Sequence, residues 1–230
     1  KILWGGEDAV FVKGRTFGIF DGVSGADKKD GVPLYSKTLA EELKKLVKEE
    51  EGINVQDLTR RMLRCAEYAD VHATGASTAI VASIGEDGFL RALNIGDSSC
   101  IVIRDGKVVT RTRQTSHYFD CPFQLSIDSP DRPRDGAKLN VELMRGDLVL
   151  MGSDGVFDNL LENEIVSIAT SEKSLSAIAK RVSERSRKVS FDRKAPTPYA
   201  KEAQRFGDPD FGDGLGGKVD DVSCVVVSYK

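Results

Sequence analysis

The chain has 230 residues, 40% of them apolar and 30% charged, with a formal net charge of −3. That length suits one large domain, with two small ones as the less favoured option, and this apolar content argues against disorder throughout. Acids and bases are interspersed, which argues against a broad nucleic-acid or membrane surface, and no apolar run approaches the roughly 20 residues of a membrane span. The four cysteines (Cys65, Cys100, Cys121 and Cys224) form no CxxC pair. They read as reduced core thiols of a soluble intracellular protein rather than zinc ligands or a disulfide framework. No signal or transit peptide is visible.

In chain order, short strands rich in Val, Ile and Phe are predicted at 9–12, 15–20, 77–84, 89–94, 99–104, 107–112, 138–143, 147–152 and 222–228. "RDGK" at 104–107 carries the Asp-Gly pair of a type I′ hairpin, so the middle strand pairs are expected to be antiparallel. Three helices interrupt the strands. The first sets Leu39, Leu43, Leu46 and Val47 on one face, with Gly52 as its stop. The second starts at the N-cap Asn54, with Asp57 in its first turn, and the third carries Leu175, Ile178 and Val182. Two Gly/Pro/Asp-rich stretches, 126–136 and 206–217, are long enough to be either disordered or close to function.

The aspartates raise a chemical question. Asp8 precedes a strand, and Asp21 ends one in "FGIFDGVSG". Asp97 lies in "NIGDSS", Asp154 follows a strand in "GSDGVFDN", and Asp220 precedes the last strand in "KVDDVSCVVVS". Any single Asp-Gly is a turn signal. Several acids at strand ends, two of them followed by glycines that let a backbone carbonyl approach a ligand, point to a bound cation if those ends converge. Hard oxygen donors without His or Cys favour Mg²⁺ or Mn²⁺ over zinc.

The order GGED, FDG, GDS, SDG and VDDVS resembles the metal-dependent serine/threonine phosphatases of the PPM (PP2C-type) family over essentially the whole chain. "TSHYFDCPFQLS" at 115–126 and "SFDRKAPTPYAKEA" at 190–203 are most similar to its PTC7-like branch. The resemblance implies an α+β fold, a four-layer α-β-β-α sandwich of two antiparallel sheets flanked by helices. It implies a single catalytic domain over 1–230 with a flap within 186–217 and a phosphoserine or phosphothreonine protein as substrate. Two Mn²⁺ or Mg²⁺ ions are implied, with a weaker third site.

Carried onto this sequence, Asp21 corresponds to the carboxylate bridging two metals, and the Gly22 carbonyl to a ligand of one of them. Asp154 and Asp220 correspond to acids on the other metal. Glu7 and Asp8 match the acidic pair holding metal-bound waters, Asp97 with Asp154 matches the third site, and Asp221 reads as a neighbour of the ligands. Asp158 and Asn159 are expected to cap or orient the following helix. The implied chemistry is direct attack on phosphorus by a hydroxide shared between the metals, without a Ser, Cys or His nucleophile.

Two departures stand out. Val23 occupies the place of the family's proton-donating His, a feature of the PTC7-like branch that leaves protonation of the leaving group to a metal-bound water. Leu3 occupies the place of a phosphate-binding Arg, with Lys1, Lys13 or Arg15 as substitutes. His72 reads as structural, and His117 lies in a branch motif with no acid identified beside it. "SPDRP" at 129–133 reads as a solvated loop. A catalytically inert module of the same fold that binds a phosphoprotein is the rival reading, disfavoured because the core acids are present. A metal phosphoesterase of small metabolites is a third. PTC7-like relatives are often mitochondrial, and the residues do not decide between that compartment and the cytosol.

Overall fold

A computed structural model describes residues 6–230, which fall into two compact units. The first comprises residues 6–98 and 112–144, the second 99–111 and 145–230.

The first unit is built on a five-stranded antiparallel sheet. Its strands are β1 (Ala9–Lys13), β2 (Thr16–Phe20), β3 (Ala79–Ile84), β4 (Phe89–Ile95) and β9 (Ala137–Glu142), in the order β1-β2-β3-β4-β9. Helices α1 (Tyr35–Leu46) and α2 (Val55–His72) bury Leu39, Leu43, Leu58 and Met62 in one core with Phe11, Phe20, Val81 and Leu93 of the sheet. Asn54 caps α2 as expected, its side chain accepting the Asp57 N–H at 2.9 Å. Tyr35, at the start of α1, donates its hydroxyl to Asp70 near the end of α2 at 2.7 Å. Burial and the Asp70 carboxylate push the Tyr35 phenol well above its usual range.

Helix α1 stops at Leu46, six residues before Gly52. The run Lys48–Glu51 offers no apolar face to bury, whereas Val47 and Ile53 on either side both enter the core. Arg61 of α2 donates to the Leu46 carbonyl at 2.7 Å and holds both carboxylate oxygens of Glu51, tying down the chain where the helix ends.

A two-stranded hairpin, β7 (Ser116–Tyr118) with β8 (Cys121–Pro122), is absent from the predicted strands. Nor is "SPDRP" simply a solvated loop. Asp131 and Pro133 are buried, and Pro133–Asp135 form a 3-10 turn. Asp131 Oδ2 accepts the Gln124 N–H and lies 3.0 Å from His117 Nε2, so the loop is pinned to the hairpin strand.

The second unit holds a four-stranded antiparallel sheet, ordered β11-β10-β5-β6, from β5 (Ser99–Arg104), β6 (Lys107–Arg111), β10 (Leu148–Gly152) and β11 (Cys224–Ser228). The β5–β6 turn has positive φ at Asp105 and Gly106, as a type I′ turn requires. Helices α3 (Asp154–Phe157), α4 (Glu162–Ser171) and α5 (Leu175–Ser190) pack Val156, Ile165, Ile178 and Val182 against Ile101, Ile103 and Leu150. Helix α6 (Pro198–Arg205) and a 3-10 turn at Pro209–Phe211 give regular structure to the expected flap segment. Among the described residues no disulfide forms and no helix is long and apolar enough to cross a membrane. Cys65 and Cys100 are core residues, whereas Cys121 and Cys224 are only partly buried.

Arg104 clamps Asp147 through two parallel bonds of 2.8 and 2.7 Å, with the carboxylate almost wholly buried. Asp147→Asn is expected to lower unfolding free energy by about 2–3 kcal/mol, at or below the low end for a broken buried pair because Arg104 reaches solvent. Urea denaturation checks this against Lys180→Ala, which removes an exposed pair and should fall within about 0.5 kcal/mol of the native protein.

Candidate metal centre

In the first unit the acids gather at one end of the β1–β2 hairpin. The register sets Ala9 opposite Phe20, which places Glu7 and Asp8, just before β1, beside Asp21 and Gly22, just after β2. The approach is close: a Cβ added to Gly22 would stand 2.5 Å from the Glu7 carbonyl oxygen. Only glycine fits there, so the GED and FDG segments meet because Gly22 has no side chain. Gly22 also bridges Ser77, and Val23 donates its N–H to the Ala76 carbonyl at 3.0 Å, which fixes the chain beyond Asp21. Glu7 and Asp21 are buried, while Asp8 and Asp97 are partly so.

The second unit repeats the device. A Cβ on Gly155 would stand 2.1 Å from the Asp221 carbonyl oxygen, so SDG and VDD meet across a missing side chain. Reciprocal bonds lock the two segments: Ser153 donates its N–H to the Ser223 carbonyl, and Ser223 donates its own to Ser153 Oγ, both at 3.1 Å. Asp154 is buried at the start of α3, and Asp220 and Asp221 are partly buried just before β11.

Two lysines missed in the sequence sit among these acids. Lys28 Nζ lies 2.7 Å from Glu7 Oε1. Lys218 Nζ bridges Asp154 at 2.8 Å and Asp158 at 2.9 Å. Buried carboxylates demand positive partners, and these ammonium groups supply part of that demand. Among the described residues no three Asp, Glu, His or Cys side chains stand together as a ready-made ligand set.

Asp158 and Asn159 do not cap the next helix. The N-cap of α4 is Leu161, whose N–H is received by Glu164. The buried Asn159 instead grips Lys218 by both backbone groups and donates to the Gly155 carbonyl at 3.0 Å. Its amide therefore holds the Lys218 segment against α3. A lone "DN" after a helix start carries no signal of such a long-range role.

The other candidates are placed as follows. Asp97 follows β4, and Gln114 donates to its backbone carbonyl. His117 packs against Phe123 with centroids 4.5 Å apart and the rings tilted by 33°, beside the acid Asp131 that the sequence did not identify. His72 ends α2, its ring 4.1 Å from that of Tyr68. Lys13 and Arg15 lie at the turn end of the β1–β2 hairpin, away from the acids, with Lys13 donating to the Lys44 carbonyl. They are poor substitutes for a phosphate-binding arginine. Lys1 and Leu3 lie outside the described residues.

The donor set fits a hard divalent cation. The candidate donors are carboxylates and a glycine carbonyl, without imidazole or thiolate, and each glycine cradle brings two acid-bearing segments together.

No family model matches the chain. It is 37% identical to "Probable protein phosphatase 2C 1" of Oryza sativa subsp. japonica, the match covering 100% of this chain and 72% of the relative. It is 31% identical to "Protein phosphatase PTC7 homolog fig" of Drosophila grimshawi, covering 98% and 80%. Among solved structures, the photosystem II phosphatase PBCP is similar with a TM-score of 0.88 at 33% identity, covering 100% of this chain and 94% of that one. The catalytic domain of the serine/threonine phosphatase PstP, solved with two manganese ions, shares the fold at 18% identity, with a TM-score of 0.66 over 97% of this chain and 91% of that one. A mixed α/β fold with antiparallel sheets, and likeness to 2C relatives along the length of this chain, lead to one conclusion: the chain belongs to the PP2C (PPM) family of serine/threonine protein phosphatases.

Proposed function

We propose that the chain acts as a single catalytic domain that removes phosphate from phosphoserine or phosphothreonine in proteins, using Mn²⁺ or Mg²⁺. Asp8, Asp21 and the Gly22 carbonyl in the first unit, and Asp154 and Asp220 in the second, serve as the metal ligands. Asp97 contributes to a weaker third site, Glu7 and Asp221 steady the ligands, and the segment 186–217 acts as the flap. The observation that carries this reading is the paired glycine cradle, in which Gly22 abuts Glu7 and Gly155 abuts Asp221. A turn-forming Asp-Gly has no need of a second acidic segment pressed against its glycine.

When bound, two cations supply an activated water and offset charge on the phosphoryl oxygens. The chain's own contribution is to hold acidic oxygens at fixed places. Gly22 and Gly155 set how closely the segments approach, Ser153 ties Asp154 to the 221–223 strand entry, and Asn159 fixes the backbone at Lys218. Val23 offers no proton, so acid assistance to the leaving alkoxide falls to water in this site. Burial pushes the Cys65 and Cys100 thiols up to about 12, where they are poorly reactive, so neither is suited to serve as a nucleophile.

Hydrolysis of a phosphothreonine peptide with and without Mn²⁺ tests the activity. Turnover is expected only with metal, and Asp154→Asn is expected to lower kcat by at least about a hundredfold while the protein stays folded. Metal-independent turnover, or native activity in Asp154→Asn, would refute the reading. The cradle is tested separately with Gly155→Ala, which forces a methyl group into the Asp221 backbone. A loss of about 2–4 kcal/mol in urea denaturation is expected, whereas Gly25→Ala, with open space around it, should stay within about 0.5 kcal/mol of native.

A further inference from the structure

A phosphomonoester brings a dianion to the site, and phosphate recognition relies on charged N–H donors as well as metals. Among the described residues, Lys28 supplies such a donor next to the FDG segment. The loop after Gly22 returns Lys28 so that its ammonium donates to Glu7 Oε1 at 2.7 Å and to the Ser24 carbonyl at 3.2 Å. Its stem runs alongside Gly75, at 3.6–3.7 Å from where a Cβ would stand, and the side chain is only 16% exposed. The loop itself is pinned where Lys29 donates its N–H to Thr74 Oγ1, and Thr74 donates on to the Asp27 carbonyl.

We infer that Lys28 is the residue that binds the substrate phosphoryl group, with Glu7 as its positioning residue. The inference rests on the phosphatase reading above. An ammonium has three donors, and Glu7 and Ser24 engage two, which orients the head group between them. A lysine whose stem and head are already fixed gives up little further rotamer freedom when an anion arrives. Glu7 stands at the cradle glycine, so the same close approach that assembles the acids also places this cation next to them. The predicted ligand chemistry is a phosphoryl dianion, with the identity of the esterified side chain irrelevant to this contact.

The test is calorimetric titration of inorganic phosphate into the Mn²⁺-loaded protein, alongside KM for a phosphothreonine peptide, in the native chain, Lys28→Met and Lys28→Arg. Lys28→Met is expected to bind phosphate about 10- to 100-fold more weakly and to raise KM similarly, with Mn²⁺ affinity within about threefold of native. Lys28→Arg should recover most of the phosphate affinity. A purely structural ion pair would lower melting temperature and leave phosphate affinity unchanged, and that result overturns the assignment. If Lys28→Met fails to fold, Lys28→Gln provides the same comparison. Native turnover with unchanged phosphate binding in the Lys28 variants sinks the lysine assignment alone. A native chain without turnover that still loses phosphate affinity with Lys28→Met sinks the enzymatic reading and keeps the anion site.

Discussion

Packing carboxylates together inside a protein is unfavourable unless something positive holds them, and that constraint organises both units. Each unit brings two acid-bearing segments into contact at a glycine, Gly22 against Glu7 in one and Gly155 against Asp221 in the other. Each also sends a lysine to the acids so gathered, Lys28 to Glu7 and Lys218 to Asp154 and Asp158. The strands serve this arrangement. The β1–β2 register aligns the ends that carry Asp8 and Asp21, and the β10–β11 pairing does the same for Asp154 and Asp220.

Those same features explain why aspartate is followed by glycine at the mouth of an apolar strand. The "RDG" pair at 104–106 is a plain hairpin turn, with positive φ at Asp105 and Gly106. Gly22 and Gly155 have no such φ, and their requirement comes from a second segment pressed against them. Identical dipeptides thus do different physical jobs, and only the third dimension separates them.

The sheets were legible because Val, Ile and Phe runs with Gly or Asp at their ends carry a local signal, and each of the nine longer strands lies within about two residues of expectation at either end. The Asn54 cap was legible for the same local reason. The β7–β8 hairpin was not, since strands of three and two residues hold no periodicity. Nor was the early end of α1, which Arg61 settles from the next helix. Motif order singles out the acids proposed as ligands, but not the lysines that pair with them. Nothing near Lys28 or Lys218 in the sequence announces an ion pair with Glu7 or Asp154, 21 and 64 residues away. Long-range partners of charged side chains are set by the fold.

The account stands on acids of both units being metal ligands, and equilibrium binding of Mn²⁺ reads that without reference to any substrate. Calorimetry on the native chain, Asp21→Asn and Asp154→Asn is the most direct measurement. The account predicts two ions per native chain, with tight binding lost at one or both sites in each folded variant. A native chain that takes up no Mn²⁺, or variants that bind it as the native chain does, would contradict the account.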